Sequence, residues 1–111
     1  MKYQYYDFTK HFNYIRKELG GNIYYDDVSY GLNGILYLRY NKVNNYAQIL
    51  KLQNGKFNVI YCFNDIGVIY SRTFNSFEKC IKFLKDWGFN KILSTHAKLR
   101  NVRLPKKLEV E

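Results

Sequence analysis

Two stretches of the sequence have the spacing of apolar residues that is typical of amphipathic helices. The first covers residues 7–19, with Asp7 or Thr9 as the cap of its first turn, and a pair of glycines ends it. The second begins at Asn75, takes Glu78 as its capping-box partner and ends at Gly88. The apolar stripe of this second helix would cover a sheet and consists of Phe77, Cys80, Ile81, Leu84 and Trp87.

Between these helices the apolar residues alternate as they do in strands. The alternation predicts a weak strand over residues 22–30 and better ones over 35–40, 46–53, 57–63 and 68–74. Asn54 and Gly55 predict a tight two-residue hairpin turn, because both positions tolerate positive φ.

The order α-β-β-β-β-β-α predicts an α+β fold. We expect a single antiparallel sheet of four to five meandering strands, flanked by an N-terminal and a C-terminal helix and followed by a basic C-terminal tail. Residues 1–90 are predicted to form one compact domain, and residues 91–111 a basic extension that is partly ordered at most.

Alternation also divides the predicted strands between the two faces of the sheet. We expect the purely apolar face to pack on the second helix; it would collect Leu36, Leu38, Leu50, Leu52, Ile60, Cys62 and Ile69. The opposite face mixes aromatic and cationic side chains, and it would collect Tyr37, Arg39, Lys51, Phe57, Val59, Tyr61, Phe63, Val68, Tyr70, Arg72 and Phe74.

The net charge of +9 indicates attraction to polyanions. Its distribution is uneven, because residues 91–107 contain six Lys or Arg and no acid. Abundant Tyr, Phe, Asn, Ile and Lys share AT-rich codons, so a low-GC genome accounts for their number but not for their positions. A low-GC bacterium, a phage or a mobile element is the expected source.

Few residues offer catalytic or metal chemistry. Cys62 and Cys80 have apolar neighbours, which predicts two small core residues and no disulfide. His11 and His96 have no partner at metal-ligand spacing, so we expect no metal and no cofactor. We expect no enzyme either, although a small ribonuclease toxin built on His96, with Arg100 and Arg103, stays open as an alternative.

No run of the sequence is apolar enough to span a membrane, and the N-terminus lacks the apolar core of a secretory signal. A cytoplasmic location without membrane association is therefore expected.

Proteins that bind single strands without reading sequence combine two kinds of side chain. Aromatic rings stack on the bases, and cations neutralise the phosphates. We therefore predict a small basic protein that binds single-stranded DNA or RNA. The predicted binding residues lie on the mixed face and in the tail, and they are Tyr37, Arg39, Lys51, Tyr61, Tyr70, Arg72, Lys98, Arg100, Arg103, Lys106 and Lys107.

The same residues leave alternatives open. The tyrosines could be half-buried strand formers, and the tail could be a solubilising end. The alternative function is a protein-interaction module, because Tyr and Arg are also common at interface hot spots. Such a module would be an accessory subunit of a replication, recombination or other nucleic-acid enzyme, or an inhibitor of a host enzyme.

Over residues 33–88, four antiparallel strands followed by a helix resemble the ββββα unit of the Whirly and Pur-type single-strand binders. The resemblance is one of architecture and involves no signature residues. It implies a curved basic and aromatic sheet and a homodimer. Double-stranded RNA-binding domains, which run α-β-β-β-α, have two strands fewer and a basic cluster that this second helix lacks.

Overall fold

The structure is a computed structural model that describes residues 3–21, 23–27, 34–40, 45–62 and 69–91. Its elements in chain order are β1 (Tyr3–Gln4), a 3-10 helix (Phe8–His11), α1 (Phe12–Leu19), β2 (Ile23–Asp27), β3 (Leu36–Tyr40), β4 (Asn45–Leu52), β5 (Phe57–Cys62), β6 (Ile69–Phe74) and α2 (Phe77–Asp86). The predicted α+β class, with one antiparallel sheet and a helix towards each end of the chain, is confirmed. The short β1 was not predicted.

The two helical segments begin at side-chain caps. The Asp7 carboxylate accepts hydrogen bonds from the Thr9 backbone N–H at 3.1 Å and from the Thr9 hydroxyl at 2.6 Å, so Asp7 is the cap of the first segment. In α2 the Ser76 hydroxyl accepts from the Lys79 backbone N–H at 3.3 Å. The prediction that Asn75 and Glu78 form this cap was wrong. The N-cap is Ser76, and the residue three positions after it is Lys79 and not Glu78.

Each strand from β2 to β5 is hydrogen-bonded to the next strand in sequence, up to β6, and every pairing is antiparallel. The short β1 pairs with the end of β4, opposite Lys51 and Leu52, beyond the residues of β4 that pair with β3. The β4–β5 turn closes through Leu52, whose N–H donates to the Lys56 carbonyl at 2.7 Å and whose carbonyl accepts from Gly55 at 2.9 Å. Three residues therefore form this loop, and the predicted two-residue turn was wrong.

Both helical segments pack on the same face of the sheet, which we call the helix-covered face. Aromatic rings dominate this contact: Phe57 lies 6.0 Å from Phe77, and Tyr70 lies 5.1 Å from Trp87, both centroid to centroid. Cys80 is buried there as predicted, and the cost of burying its thiolate raises the pKa of the thiol to about 12. No described helix packs on the opposite side, which we call the helix-free face.

The predicted grouping of Leu36 and Leu38 of β3 with Leu50 and Leu52 of β4 on one face was wrong. Leu36 is paired with Ile49 and Leu38 with Ala47, so both leucines lie on the helix-covered face. Tyr37 and Arg39 consequently lie on the helix-free face. The pairing of Tyr40 with Asn45 fixes this register, and alternation within a single strand carries no information about it.

The prediction of which side meets α2 was wrong for β4, β5 and β6, whereas Leu36 and Leu38 of β3 lie on the helix-covered face as predicted. The α2 stripe covers the side that contains Val59, Tyr61 and Tyr70, all buried. The side-chain set of Leu50, Leu52, Ile60 and Cys62 lies on the helix-free face instead. Phe63 and Val68 lie outside the described residues.

None of the helices within the described ranges is sufficiently long and apolar to cross a membrane.

Gly34 lies just before β3, under the chain that leaves β1. Its φ is 63°, and a Cβ at this position would come within 2.7 Å of the Tyr6 backbone nitrogen. We expect Gly34→Ala to lower the free energy of unfolding by about 1–3 kcal/mol, measured by urea denaturation. Gly55→Ala is the matched control, because Gly55 has a φ of 90° but no atom within 4 Å of its would-be Cβ. Equal losses in the two variants would contradict the close approach at Gly34.

Candidate functional site

Strands β3 and β4 place three exposed side chains together on the helix-free face. Arg39 and Tyr46 are direct partners across the two strands, and Tyr37 follows two residues from Arg39 on the same side. Tyr37 is 39% exposed and Tyr46 is 49% exposed, and Arg39 is exposed as well. We call these three residues the Tyr–Arg patch. It presents two aromatic rings and one guanidinium group to a ligand.

The phenol of Tyr46 stays uncharged next to Arg39. Its cross-strand neighbour on β5 is Cys62. This thiol raises the pKa of Tyr46 above the usual value, mainly through a side-chain hydrogen bond and to a smaller extent through its charge. At neutral pH the ring therefore adds no negative charge that would repel an anionic ligand.

Two of the predicted binding residues are core residues. Tyr61 is 0% exposed and donates its hydroxyl hydrogen to the Trp87 carbonyl at 3.0 Å. Tyr70 is 4% exposed and packs edge-on against the Trp87 ring. Neither ring has a surface on which a base could stack.

The predicted cations Lys51 and Arg72 lie on the helix-covered face and are separated from Arg39 by the sheet. The Arg72 guanidinium carbon lies 5.9 Å from the Trp87 ring centroid. The Lys51 ammonium lies 4.8 Å from the ring centroids of both Tyr6 and Phe57. The structure therefore does not assemble the predicted residues into one surface.

The remaining predicted binding residues belong to the basic tail and lie outside the described residues; they are Lys98, Arg100, Arg103, Lys106 and Lys107. Of the residues that the structure describes, Tyr37 and Arg39 are the two predicted ones that lie together and are exposed.

Tyr46 is a patch residue that the sequence pattern did not reveal. Tyr46 lies on the same side of β4 as Leu50 and Leu52, and the predicted faces placed these leucines and Arg39 on opposite sides. The pairing of Tyr40 with Asn45 sets Tyr46 opposite Arg39. The register between β3 and β4 is therefore the information that would have identified the patch.

Towards β5 the residues next to the Tyr–Arg patch on the helix-free face are uncharged. Gln48 lies opposite Tyr37, and Ile60 lies opposite Gln48 on β5; both are half-buried, as is Leu50, which lies opposite the buried Asn58. On this side the patch therefore borders an uncharged strip that contains Leu50 and Ile60, and not a second group of cations.

The helices form a shallow groove of about 380 Å³ between α1 and α2. Two of its cations are already in ion pairs, because Lys82 lies 2.8 Å from Asp86 and Lys85 lies 3.3 Å from Glu18. Exposed pairs of this kind contribute little to stability. Acids and bases balance here, so the groove is a poor site for a polyanion.

His11 is held between two rings on the helix-covered side. Its imidazole stacks on Phe77 at a centroid distance of 4.1 Å, and its Nε2 is 2.8 Å from the Tyr6 hydroxyl. Burial is the main cause that lowers the pKa of His11 below its usual value, and the charges of Lys10 and Lys51 lower it further. Glu78 and Asp7 act in the opposite direction but do not compensate.

A lowered pKa in the folded state predicts that acid destabilises the protein through His11. Protonation below the unfolded-state pKa of about 6.5 favours the unfolded chain, so this stability is present above that pH and is lost as the pH falls. We expect the free energy of unfolding to fall more in wild type than in His11→Gln between about pH 7.5 and about pH 5.5. Parallel pH profiles in urea denaturation would contradict this assignment.

Within the described ranges, no three His, Cys, Asp or Glu side chains converge on a point where a metal ion could bind. No protein-family model matches the sequence, and no curated protein or solved structure is significantly similar to it. Any function assigned to this chain therefore depends on its own geometry and charge.

Proposed function

We propose that this protein is a small, non-catalytic nucleic-acid-binding protein that takes single-stranded DNA or RNA on the Tyr–Arg patch. The observation that supports it is the cross-strand pair of Arg39 and Tyr46, with Tyr37 beside it, all exposed on the helix-free face. The proposal includes a cytoplasmic location, association as a homodimer and a supporting role for the basic tail.

Each part of the patch has a role in this binding. The rings of Tyr37 and Tyr46 offer π-surfaces on which unpaired bases stack, and such stacking tolerates any sequence. The guanidinium of Arg39, between them on the sheet, forms bidentate hydrogen bonds with a phosphate. Bases must be unpaired to reach these rings, which favours single strands over duplexes. The net charge of +9 attracts the backbone from a distance.

Affinity for labelled single strands should fall steeply with salt, because binding releases counterions. Arg39→Gln is expected to weaken binding and to reduce the slope of log affinity against log salt by about 0.7. Lys17→Gln is the matched control, because it removes one exposed charge from α1 and leaves the patch intact. Fluorescence anisotropy over a salt series measures both quantities. Equal effects of the two variants would show that general charge, and not Arg39, governs binding.

The uncharged strip beside the patch favours a second candidate function, a protein-interaction module. Leu50 and Ile60 lie half-buried on the helix-free face, and Tyr and Arg are enriched at the hot spots of protein interfaces. In this case the protein would be an accessory subunit of a nucleic-acid enzyme or an inhibitor of a host enzyme.

A pull-down from host lysate distinguishes the two candidates. A stoichiometric partner protein that stays bound after nuclease treatment and is lost in Ile60→Lys would favour the interaction module. Loss of every partner protein on nuclease treatment would favour nucleic-acid binding.

A further inference from the structure

The chain between β1 and the 3-10 helix places one aromatic ring within reach of two cations. The Lys10 ammonium lies 4.6 Å from the centroid of the Tyr6 ring, and the Lys51 ammonium lies 4.8 Å from the same centroid. Taken together, these distances hold the two nitrogens within about 9.4 Å of each other. Lys10 comes from the 3-10 helix and Lys51 from the end of β4, so the fold and not local sequence brings them together.

Neither ammonium has a counter-ion among the described residues. The ion pairs described there involve Lys82 and Lys85 on α2. Glu78 and Asp7 are the acids whose charges act on His11, and Asp7 also accepts two hydrogen bonds from Thr9. An anion within reach of both ammonium groups would be attracted by two positive charges.

Polar side chains lie next to these cations. The Tyr6 hydroxyl and the His11 Nε2 lie 2.8 Å apart, and the imidazole is fixed by its stack on Phe77. The exposed Gln4 side chain lies opposite Lys51 in the β1–β4 pairing and donates to the Leu52 carbonyl at 3.3 Å. A ligand with several oxygen acceptors and more than one negative charge suits this set better than a monovalent anion does.

We propose that Lys10 and Lys51, together with Tyr6 and His11, form a binding site for a phosphate group. Lys51 lies on the helix-covered face and Arg39 on the helix-free face, so this site is separate from the Tyr–Arg patch. Its phosphate comes either from inorganic phosphate or from the terminal phosphate of a nucleotide or nucleic-acid strand. The two cations recognise the dianion in both cases.

His11 provides the reporter for the test. The chain has two histidines, so His96→Gln leaves His11 as the source of the imidazole signals in a proton NMR spectrum. Inorganic phosphate is titrated at constant pH and ionic strength, with chloride as the balancing anion. A bound dianion favours the imidazolium form, so we expect a saturable shift of the His11 signals and a rise in the His11 pKa.

Variants of the two lysines distinguish a site from general ion binding. We expect Lys10→Gln, and more strongly the Lys10→Gln/Lys51→Gln pair, to weaken phosphate binding at least tenfold. Lys17→Gln should leave it unchanged. Lys10 is exposed, so its single variant reports on the site even if the double variant is destabilised.

Two further arms identify the source of the phosphate. Tighter binding of a 5′-phosphorylated oligonucleotide than of its unphosphorylated twin, seen at the His11 signals, assigns a strand terminus. If the two oligonucleotides have equal effects and inorganic phosphate gives a saturable response, the ligand of the site is a small phosphate. A linear, chloride-like response to phosphate, or a double variant that titrates as wild type does, would overturn the proposal. Loss of Arg39 should leave the titration with inorganic phosphate intact.

Discussion

Replacement of Tyr61 by alanine is expected to lower the free energy of unfolding by about 3–5 kcal/mol. The ring is fully buried between the sheet and the segment after α2, with Phe83 and Phe89 packed against it at 6.3 and 5.6 Å. The variant removes these contacts, leaves a cavity and deprives the Trp87 carbonyl of its hydrogen-bond donor. Since domains of this size have total stabilities of about 5–15 kcal/mol, the loss should be evident in urea or thermal denaturation.

Tyr61→Phe separates the hydrogen bond from the packing. It keeps the ring and removes the hydroxyl, and the expected loss is about 1–2 kcal/mol. Tyr46→Ala is the surface control and should cost less than about 1 kcal/mol, because its ring is 49% exposed. A Tyr61→Ala protein as stable as wild type would contradict the core role of this residue.

Alanine at both Tyr37 and Tyr46 is expected to weaken single-strand binding by about 100-fold, and alanine at one of them by about tenfold. Each ring contributes the stacking of one base, at about 1–3 kcal/mol per base. Because both rings are exposed and remote from α1 and α2, the fold should survive, and circular dichroism checks this. Anisotropy with a labelled oligothymidine measures the affinity.

Tyr14→Ala is the tyrosine control for this experiment. Tyr14 lies on α1, half-buried at the groove between the helices and edge-on to Phe77. Its loss should reduce stability slightly and leave binding unchanged. A Tyr14 variant that binds as poorly as the double variant would place the nucleic acid on the helical side.

The pattern of the sequence was sufficient to predict where the helices and strands lie. It was insufficient to predict which side chains of neighbouring strands share a face of the sheet. Helical spacing located both amphipathic helices, and alternation located the five main strands to within a few residues. The two-residue β1 has no pattern of its own and forms because the end of β4 extends beyond β3. Short edge pairings of this kind depend on tertiary contacts.

It was harder to predict which face the helices cover, because β5 has apolar side chains on both faces of the sheet. Phe57, Val59 and Tyr61 point to the helices, whereas Ile60 and Cys62 point away, and each set alone could form a core. A helix rich in aromatic residues covers the face where rings can pack on rings and where the Tyr61 hydroxyl reaches a carbonyl. That choice depends on shape and hydrogen bonding, which hydrophobicity does not encode.

Identical residue types consequently have opposite roles in this protein. Tyr61 and Tyr46 are both strand tyrosines in an antiparallel sheet, yet one is fully buried and the other is half exposed. Register, and not composition, decides between them. For the same reason Arg39 reaches solvent beside Tyr46, whereas Arg72 lies over Trp87.

The helix-free side of β3 and β4 is the surface that we propose meets nucleic acid, and its amide signals can report on this directly. A ¹⁵N-edited NMR titration with an unlabelled oligothymidine of about ten nucleotides follows the binding residue by residue. We predict that the largest shift changes occur at Tyr37, Arg39 and Tyr46, that they saturate together, and that they shrink as salt is raised. If the largest changes fall on Lys79, Lys82 and Lys85 of α2, or if no signal moves at low salt, the Tyr–Arg patch is not the binding surface.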